Sequence, residues 1–449
     1  MKTLKQRVTR RRFLRRSAAA AAAFAAPAIV PASALGRDGH VAPSERVGIG
    51  MIALGRQTMA YNLPVFMQSH DVQVVALCDV DRWRLDLTDQ KSVAMYRGDK
   101  ADLDRLKDCP RTTDFREVLA RDDVDAVMIG SPDHWHTPMV VAAARAGKDI
   151  CCEKPVSRSI AEGRLLADTV AEHGIVFRTD SEFRSDPEFH RGCKLVLNGR
   201  IGRLQTIRMA VPALGEALPQ QPETPVPEDL DYDMWLGPAP MKPYTEKRVH
   251  QHRDYDRPGW FNCRDYSEGG LVNWGHHLAD IAQWANGTER TGPVEVTGTG
   301  NFPPADGLWN VVLGWDVRYR YANGVELHYT HGDPFILFEG TEGWINIQYS
   351  PRAMSAEPAS ILDSTLSIGD RRFPLKNEKR DFIDCVKTRG RTLEDAEVGH
   401  RATSLCQLGL IACETGEELQ WDPAREQFTN SDRANRLLEC PRAREPWSN

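Results

Sequence analysis

The sequence has no cysteine pair at the spacing of a zinc site. Its ten cysteines are scattered over 449 residues, and only Cys151 and Cys152 are adjacent. Structural zinc needs clustered CxxC or Cys/His ligands, so this pattern argues against the zinc-finger and zinc-ribbon classes. We therefore predict that most of the cysteines are buried free thiols, and we predict no bound metal.

The sequence also lacks a basic stripe and a long apolar run. The formal net charge is −6, and the densest cluster of arginines lies within the first 34 residues. An acidic chain of this kind argues against nucleic acids and anionic membrane surfaces as partners, and it favours a neutral or cationic small molecule. The alanine-rich stretch at residues 17–34 is broken by Pro27 and Pro31, so we predict no membrane span.

The first 34 residues differ in composition from the rest of the chain. TRRRFLRR, at residues 9–16, precedes the alanine-rich stretch, and Ala32-Ser33-Ala34 has the small-residue pattern of a cleavage site. This segment resembles a twin-arginine export signal with Arg10 and Arg11 as the pair; the alternative is a disordered basic tail. The resemblance implies a signal peptide at residues 1–34, a linker at 35–45, and export to the periplasm or the medium.

Between residues 46 and 185, short apolar runs alternate with helix-like segments. The runs RVGIGMIALG, DVQVVALCDVD, VDAVMIGSP and GKDICCEKP predict strands. TPMVVAAARAG and IAEGRLLADTVAEHG predict helices that end at Gly147 and Gly174. Because this alternation is typical of a parallel sheet covered on both faces, we predict an α/β protein with an N-terminal, doubly wound Rossmann domain at residues 46–185.

After residue 200 the hydrophobic period changes to two. In VRYRYANGVELHYTH, Val317, Tyr319 and Tyr321 alternate with polar residues, and Asn323-Gly324 predicts a hairpin turn. Residues 211–265 predict long ordered loops, whereas KRDFIDCVKTRG and EVGHRATSLCQLGLIACETG predict helices. Residues 186–449 are therefore expected to form a second domain.

Two registers compete for the turn that would bind a dinucleotide. Gly48 and Gly50 begin a literal GxGxxA, but they lie inside the predicted first strand, where no turn can form. The second register follows that strand, with an alanine in place of the first glycine and Thr58 in place of the third. We favour the second, although an ordinary strand-turn-helix is the alternative. A pyrophosphate at the helix N-terminus would then contact Ala53, Gly55, Arg56 and Gln57.

An acid at the end of the second strand bears on the choice of nucleotide. Asp79 lies where a Rossmann domain holds the ribose hydroxyls, and its charge repels a 2′-phosphate. We therefore predict NAD, while Arg82 nearby keeps NADP possible.

Two motifs follow strands at the same edge of the predicted sheet. SPDHWHTP, at residues 131–138, and EKP, at residues 153–155, should both reach the crevice at the carboxyl edge, where open α/β sheets bind ligands. There Lys154 can donate to a substrate hydroxyl and stabilise a developing alkoxide. The alternative is a surface salt bridge between Lys154 and Glu153.

Together these motifs resemble the glucose-fructose oxidoreductase, inositol dehydrogenase and rhizopine-catabolism (Gfo/Idh/MocA) family. The resemblance runs from about residue 46 to the end of the chain, and it includes DDVDAVMIG, WLGPAP, GGLVNWGHHLADIAQW, EGTEGW and LQWDPAREQF. It implies a pyridine-nucleotide oxidoreductase acting on sugars, cyclitols or glycosides. It also implies a C-terminal α/β domain with a large, mostly antiparallel mixed sheet that forms homodimers or homotetramers.

The resemblance further implies roles for individual residues. Lys154 is expected to touch both nicotinamide and substrate, and Trp135 is expected near both as well. The remaining expected cofactor contacts are Ser131, His136 and Glu153.

Two adjacent histidines in GGLVNWGHHLAD, residues 269–280, allow three interpretations. If the stretch is α-helical from about Leu271, then Asn273, His277 and Asp280 share one face, and His276 is turned about 100° away. A metal site would need three converging ligands, and asparagine is a poor one. Packing and acid/base catalysis are the other interpretations.

The acid/base interpretation matches the family pattern D-x-G-x-H-x-x-D. His277 falls on the histidine that takes the substrate hydroxyl proton, a role that suits imidazole because its ordinary pKa is close to working pH. Asp280 would orient a second hydroxyl, with His276 and Arg184 as further substrate contacts; for Arg184 an ion pair is the alternative. The departure is Asn273, because many family members have aspartate there and an amide cannot take up a proton.

Export constrains the chemistry, because no free nucleotide pool is expected outside the cytoplasm. The cofactor would have to be tightly bound and regenerated in each cycle. We expect hydride transfer between this nucleotide and a ring hydroxyl. One alternative is an NAD-dependent glycosidase that acts by transient oxidation and elimination; another is a non-catalytic carbohydrate-binding protein on the same scaffold.

Overall fold

The computed structural model of the protein describes residues 41–365, 367–440 and 443–447. The predicted signal peptide, including Arg10 and Arg11, and residues 35–40 of the predicted linker lie outside the described residues. The described residues before Val47 belong to a separate unit and contain one 3₁₀ turn at Pro43–Glu45. The chain from Val47 onward forms the other compact unit.

The first sheet of this larger unit has six parallel strands in the order β3-β2-β1-β4-β5-β6. The strands are β1 Val47–Ile52, β2 Val72–Cys78, β3 Arg111–Thr112, β4 Ala126–Ile129, β5 Asp149–Glu153 and β6 Phe177–Asp180. The order reverses between β1 and β4, which opens a crevice at the carboxyl edge there. The prediction of a doubly wound Rossmann sheet is confirmed.

Helices connect these strands and cover both faces of the sheet. They are α1 Leu63–Gln68, which continues a π-helical segment at Thr58–Asn62, then α2 Gln90–Met95, α3 Lys100–Arg105, α4 Phe115–Leu119, α5 His136–Arg145 and α6 Ile160–Glu172. Strands β1, β4, β5 and β6 are buried along their whole length, as a parallel sheet covered on both faces requires, although only β1 and β4 are apolar throughout.

The second sheet has nine strands in the order β13-β12-β11-β7-β10-β9-β8-β14-β15. Strands β7 and β10 pair in parallel, and the other pairs are antiparallel. The strands are β7 Leu204–Val211, β8 Glu295–Asn301, β9 Gly314–Arg320, β10 Glu326–His331, β11 Phe335–Gly340, β12 Trp344–Gln348, β13 Ala353–Glu357, β14 Leu419–Asp422 and β15 Gln427–Phe428. This confirms the large mixed sheet.

The hairpin expected at Asn323-Gly324 joins β9 to β10. Gly324 has a φ of +85°, and the Tyr321 amide donates to the Val325 carbonyl oxygen at 2.9 Å. Val317 and Tyr319 point into the core while their neighbours are exposed, as the period of two predicted.

Six more helices follow in the described part of the chain after residue 185. They are α7 Pro187–Leu197, α8 Tyr232–Leu236, α9 Gly275–Asn286, α10 Glu378–Thr388, α11 Ala396–Thr415 and α12 Asp432–Asn435. Helices α9 and α11 lie on the inner face of the sheet, where their buried residues share one core with its strands. A π-helical segment at Gly270–Trp274 runs directly into α9.

Helix α10 leaves the second domain and completes the core of the first. Its Phe382 and Ile383 are buried together with residues of β1 and β2. The Rossmann core therefore includes chain from beyond the predicted boundary at residue 185, which sequence order alone could not indicate.

The cysteines and the hydropathy of the helices add two findings. All ten cysteines are free thiols, and eight are buried, which confirms the prediction for most of them.

Within the described ranges, none of the helices is both long and apolar enough to span a bilayer.

The first helical segment packs closely on β4 because a glycine faces it. A Cβ on Gly130 would lie 2.2 Å from Thr58 Oγ1 and 3.6 Å from Thr58 Cβ. Thr58 stands where the nucleotide-binding motif has its third glycine, whose role is close packing of helix on strand. Here the glycine directly follows β4 instead, so the close approach is kept.

We predict that Gly130→Ala lowers the free energy of unfolding by about 1–3 kcal/mol, because the added Cβ overlaps the Thr58 hydroxyl. Adding Thr58→Ala should restore most of this loss, since that hydroxyl has no hydrogen-bond partner to lose. Urea unfolding of the two single variants and the double variant measures both effects. An equal loss in Gly130→Ala and in the double variant would contradict the assigned contact.

Candidate active site

A cavity of about 400 Å³ opens at the carboxyl edge of the Rossmann sheet. Its wall is formed from both domains. The Rossmann domain contributes residues of the turns after β1, β4 and β5, and the second domain contributes the π-helical segment before α9 and residue 349 after β12. The two predicted edge motifs therefore do meet at one site.

The turn after β1 lies at Ala53–Gln57, in the second of the two registers. Gly48 and Gly50 lie inside β1, and the helical segment begins at Arg56. Ala53 takes the left-handed conformation, with a φ of +67°, and its amide donates to the Cys78 carbonyl oxygen at 2.8 Å. The alanine thus adopts a backbone conformation that normally favours the glycine it replaces.

Asp79 lies at the end of β2 and lines the same cavity. Its two carboxylate oxygens accept from the amides of Leu54 at 2.6 Å and Asp81 at 2.9 Å. Burial outweighs the attraction of Arg84 and raises the pKa of Asp79 to about 6. Arg56, Arg84 and Arg257 line the cavity, whereas Arg82, on which the NADP alternative rested, is exposed and lies outside the wall.

These residues fit a dinucleotide. Gly55 lets Arg84 lie close to the turn, because a Cβ there would come within 3.2 Å of Arg84 Nη1. Ser131 Oγ is a buried hydroxyl of the cavity wall that has no hydrogen-bond partner among the described residues. The side chains of Arg56 and Gln57 line the cavity at the start of the helical segment, where free amides favour a phosphate.

The SPDHWHTP turn forms the wall beside β4. The His136 ring links two edge turns, with Nδ1 at 2.6 Å from the Pro155 carbonyl oxygen and Nε2 at 2.8 Å from that of Ser131. The Trp135 indole donates to the Trp235 carbonyl oxygen at 2.9 Å and is almost fully buried. Both rings therefore lie in the cavity wall in fixed orientations.

Lys154 bonds with Asn273 rather than with Glu153. Its Nζ donates to Asn273 Oδ1 at 2.8 Å and to the Asn273 backbone oxygen at 3.1 Å. The Glu153 carboxylate accepts from Asn62 Nδ2 at 3.0 Å instead, and burial together with the charge of Asp180 raises the pKa of Glu153 to about 8. The salt-bridge alternative for Lys154 is not what the structure contains.

The Asn273 amide connects Lys154 to a buried carboxylate. Asn273 Nδ2 donates to Asp133 Oδ1 at 2.9 Å and to Oδ2 at 3.1 Å. The Ser267 hydroxyl donates to Asp133 Oδ2 at 2.7 Å. The carboxylate that the family pattern has at position 273 is absent here, but another one lies one hydrogen bond further from the lysine.

His277 lines the cavity as a neutral imidazole. Burial, with the charge of Lys154 as a further cause, lowers its pKa well below the usual value. Its ring stacks on Phe183 with centroids 4.6 Å apart, and its Nδ1 lies 3.2 Å from Ser181 Oγ. A neutral imidazole with a fixed ring can accept a proton from a bound hydroxyl.

Three predicted substrate contacts lie outside the cavity wall. Asp280 is fully buried and receives Arg184 Nε at 2.7 Å and Nη2 at 2.6 Å. His276 is also fully buried, between Thr403 Oγ1 at 3.0 Å and Glu394 Oε1 at 2.9 Å. These positions correct the expectation that Asp280, His276 and Arg184 touch substrate. They also confirm the ion-pair alternative for Arg184.

His276, His277 and Asp280 point in different directions, which argues against the metal interpretation. His277 faces the cavity, whereas His276 and Asp280 face the protein interior. Among the residues that the structure describes, no three His, Cys, Asp or Glu side chains converge on a possible metal position.

Several cavity residues were missed by the sequence reasoning. Asp133 lies inside the flagged SPDHWHTP motif, so its neighbours were a signal for it. Glu182, a half-exposed carboxylate with Oε2 at 3.7 Å from His277 Nδ1, follows a strand end and carried the same positional signal as Lys154. Tyr349 had no signal, because nothing in its sequence context indicates that the loop after β12 reaches this site.

A second cavity of about 360 Å³ adjoins the first. The two share Glu182, Phe183 and Tyr349 as wall residues. The Arg352 guanidinium covers the Tyr349 ring at 4.8 Å from its centroid, on the side of the second cavity. Aromatic faces and paired polar groups of this kind suit a further sugar ring.

Two family models match the chain. The model described as an oxidoreductase family, NAD-binding Rossmann fold, matches residues 47–181. The model described as an oxidoreductase family, C-terminal alpha/beta domain, matches residues 215–449. Both are parts of the Gfo/Idh/MocA family.

Curated relatives match over shorter segments. A levoglucosan dehydrogenase from Pseudarthrobacter phenanthrenivorans is 35% identical over 97 residues, which is 22% of this chain and 25% of that protein. A glycosyl hydrolase family 109 protein from Saccharopolyspora erythraea is 34% identical over 125 residues, 28% of this chain and 26% of that protein. The matched segments thus span about a quarter of these relatives.

Solved structures match over most of the fold. The aldose-aldose oxidoreductase from Caulobacter crescentus, complexed with glycerol, has a TM-score of 0.61 and 18% identity, covering 84% of this chain and 99% of that one. A levoglucosan dehydrogenase complexed with NADH and levoglucosan has a TM-score of 0.56 and 17% identity, covering 84% and 99%. At these identities the likeness establishes the fold.

We predict a pH signature for the neutral His277. An unfolded histidine binds a proton near pH 6.5, but the folded protein holds His277 neutral well below that value. Its contribution to stability is therefore present above about pH 6.5 and is lost as the pH falls. The stability advantage of the wild type over His277→Gln should shrink between about pH 7.5 and about pH 5 in urea unfolding. Because the other titrating groups are common to both proteins, an unchanged difference would contradict the assignment.

Proposed function

Because the chain belongs to the Gfo/Idh/MocA oxidoreductase family and carries its NAD-binding Rossmann domain, we propose that it transfers hydride between a tightly bound nicotinamide nucleotide and a ring hydroxyl of a sugar, cyclitol or glycoside. The observation that carries the proposal is that Lys154 and the neutral His277 line the same cavity as the Ala53–Gln57 turn. A proton donor, a proton acceptor and a nucleotide-binding turn thus share one enclosed space.

The proposed roles of Lys154 and His277 follow from the hydrogen bonds that each side chain can still donate or accept. An ammonium has three N–H groups, and Lys154 uses two of them on Asn273, which leaves one for a substrate oxygen. That bond stabilises the negative charge that develops on the oxygen during oxidation. His277 accepts the hydroxyl proton. The bound nicotinamide supplies the two-electron acceptor.

The substrate class is argued from the wall of the cavity. Aromatic rings of Trp274 and Tyr349 lie beside polar side chains, an arrangement that suits a neutral polyol with apolar ring faces. The relatives named for levoglucosan and the solved complexes with glycerol or levoglucosan support the same class.

Glycoside cleavage by transient oxidation is the second candidate function. The observation that favours it is Glu182, whose carboxylate lies in the wall shared by the two cavities and close to His277. A carboxyl group there is placed to protonate a departing group in the second cavity. The glycosyl hydrolase family 109 relatives point in the same direction.

The first test asks whether the purified protein carries nucleotide and uses it. We predict that acid extraction releases NAD and that an effective sugar raises the absorbance of the reduced nucleotide in a single turnover. Lys154→Ala should keep the nucleotide but slow this reduction by about a hundredfold or more, because it removes the bond to the developing charge. Lys148→Ala is the matched control, since Lys148 bonds to the Arg121 and Val124 carbonyl oxygens away from the cavity.

The outcomes separate the candidates. Release of phenol from aryl glycosides without net reduced nucleotide selects the cleavage reaction. Sugar binding by calorimetry without any nucleotide in the protein selects a carbohydrate-binding protein. Failure of both NAD extraction and NAD binding refutes the oxidoreductase proposal.

Two further parts of the proposal concern location and assembly. We propose export by the twin-arginine route. The double variant Arg10→Lys with Arg11→Lys should then stay in the cytoplasm, and export of that variant would contradict the proposal.

We also propose a homodimer or homotetramer formed through the nine-stranded sheet. A monomer in sedimentation velocity would contradict that assembly.

A further inference from the structure

We propose that Asp133 is a positioning residue for Lys154 and that Asn273 transmits its effect. This inference rests on the proposed oxidoreductase function, and it assigns a role to a carboxylate that does not itself need to contact substrate. It also explains the asparagine at position 273 as a partner of Asp133 rather than as the loss of an acid.

The hydrogen-bond capacities of the neighbours explain why an amide suits position 273. Lys154 can only donate, and an ionised Asp133 can only accept. An amide carries an acceptor on one side and donors on the other, so it can link the two. In the structure Asn273 Oδ1 receives Lys154 and Asn273 Nδ2 donates to both oxygens of Asp133. The carboxylate therefore determines which side of the amide faces the lysine.

An aspartate at position 273 would meet a second carboxylate at close range. Asn273 Nδ2 lies 2.9 Å from Asp133 Oδ1, and Asp133 is only 3% exposed. Two carboxylates at that separation in a buried site cannot both stay ionised without a large cost. Positions 133 and 273 therefore form a coupled pair, in which one residue is acidic and the other is the amide.

Asp133 is itself held by a short chain of bonds. Ser267 is fully buried and donates to Asp133 Oδ2 at 2.7 Å, and the Gly269 amide donates to Ser267 Oγ at 3.2 Å. Gly269 directly precedes the π-helical segment that carries Asn273. The turn after β4 is thereby tied to the segment before α9, so the carboxylate is fixed relative to the residue it orients.

The consequence for catalysis is orientation of the remaining Lys154 N–H. With two N–H groups bound to Asn273, the third has a defined direction. A free amide could rotate and present Nδ2 to the ammonium, which would break one of those bonds. Loss of Asp133 should thus slow the chemical step more than it weakens substrate binding.

The test is an exchange of the two residues. Asp133→Asn alone lets either amide rotate, and Asn273→Asp alone brings two carboxylates together. We expect each to lower kcat for sugar oxidation by about tenfold or more, with KM changed by no more than about twofold.

The double variant, Asp133→Asn with Asn273→Asp, keeps every bond type. The Ser267 hydroxyl can donate to the amide oxygen introduced at position 133. The amide nitrogen of that same side chain can donate to the carboxylate introduced at position 273, and this carboxylate accepts from Lys154. The kcat of the double variant should therefore return to within about threefold of the wild type.

A control variant and two independent readouts keep the result interpretable. Asp149→Asn removes another buried carboxylate of the Rossmann domain. Asp149 begins β5, whereas Lys154 follows the end of that strand, so this variant should leave kcat unchanged. Nucleotide content and the thermal midpoint report folding for every variant. If Asn273→Asp alone fails to fold, recovery of both folding and turnover in the double variant still shows the coupling.

Contrary outcomes are distinct for the two proposals. Suppose that the wild type oxidises a sugar. If the losses then add up in the double variant, or if Asp133→Asn keeps full activity, the role of Asp133 is overturned but the proposed function is not. A wild type whose bound nucleotide no sugar reduces overturns the proposed function and this inference with it.

Discussion

The hydrogen bond from Lys154 to Asn273 is the constraint on which the site depends. Lys154 follows the fifth strand of the Rossmann sheet, and Asn273 precedes the helix that packs on the second sheet. This bond therefore joins the two domains at Lys154 Nζ, the atom that is proposed to bind the substrate oxygen. Lys154 also bonds to the Asn273 backbone oxygen, and Asp133 holds the Asn273 amide in place, so the lysine has little freedom. Precision of this kind is what positioning catalysis requires.

Buried ion pairs hold the elements on which these side chains are carried. Arg178 bonds to Glu394, and Arg184 bonds to Asp280, with all four side chains almost completely buried. Unpaired charges would be very costly at such depth, so each partner is required once the other is present. The pairs fix the last Rossmann strand and helix α9 against the chain before α11. His277 owes its orientation to that framework, together with the aromatic ring of Phe183.

Sequence periodicity predicted the Rossmann domain and the β9–β10 hairpin, because those signals were local, whereas the large second sheet was implied by the family resemblance. Lys154 follows from its place after a strand end, whereas the role of His277 was implied by the family resemblance, because helical spacing alone left three interpretations open. The pairing of Asp133 with Asn273 links residues that are 140 positions apart, and no local pattern contains it. The error for Asp280 has a geometric cause. Asp280 lies one turn beyond His277 along α9, outside the cavity wall, where it pairs with Arg184 in the protein interior.

The most direct test of this account is a crystal structure of the NAD-loaded protein with a bound sugar. The account predicts that Lys154 Nζ stays within hydrogen-bond distance of Asn273 Oδ1 while it also contacts a ring hydroxyl, and that His277 lies against the same hydroxyl. A Lys154 that turns to Glu153 or Glu182, with the sugar hydroxyl bound elsewhere, would contradict it.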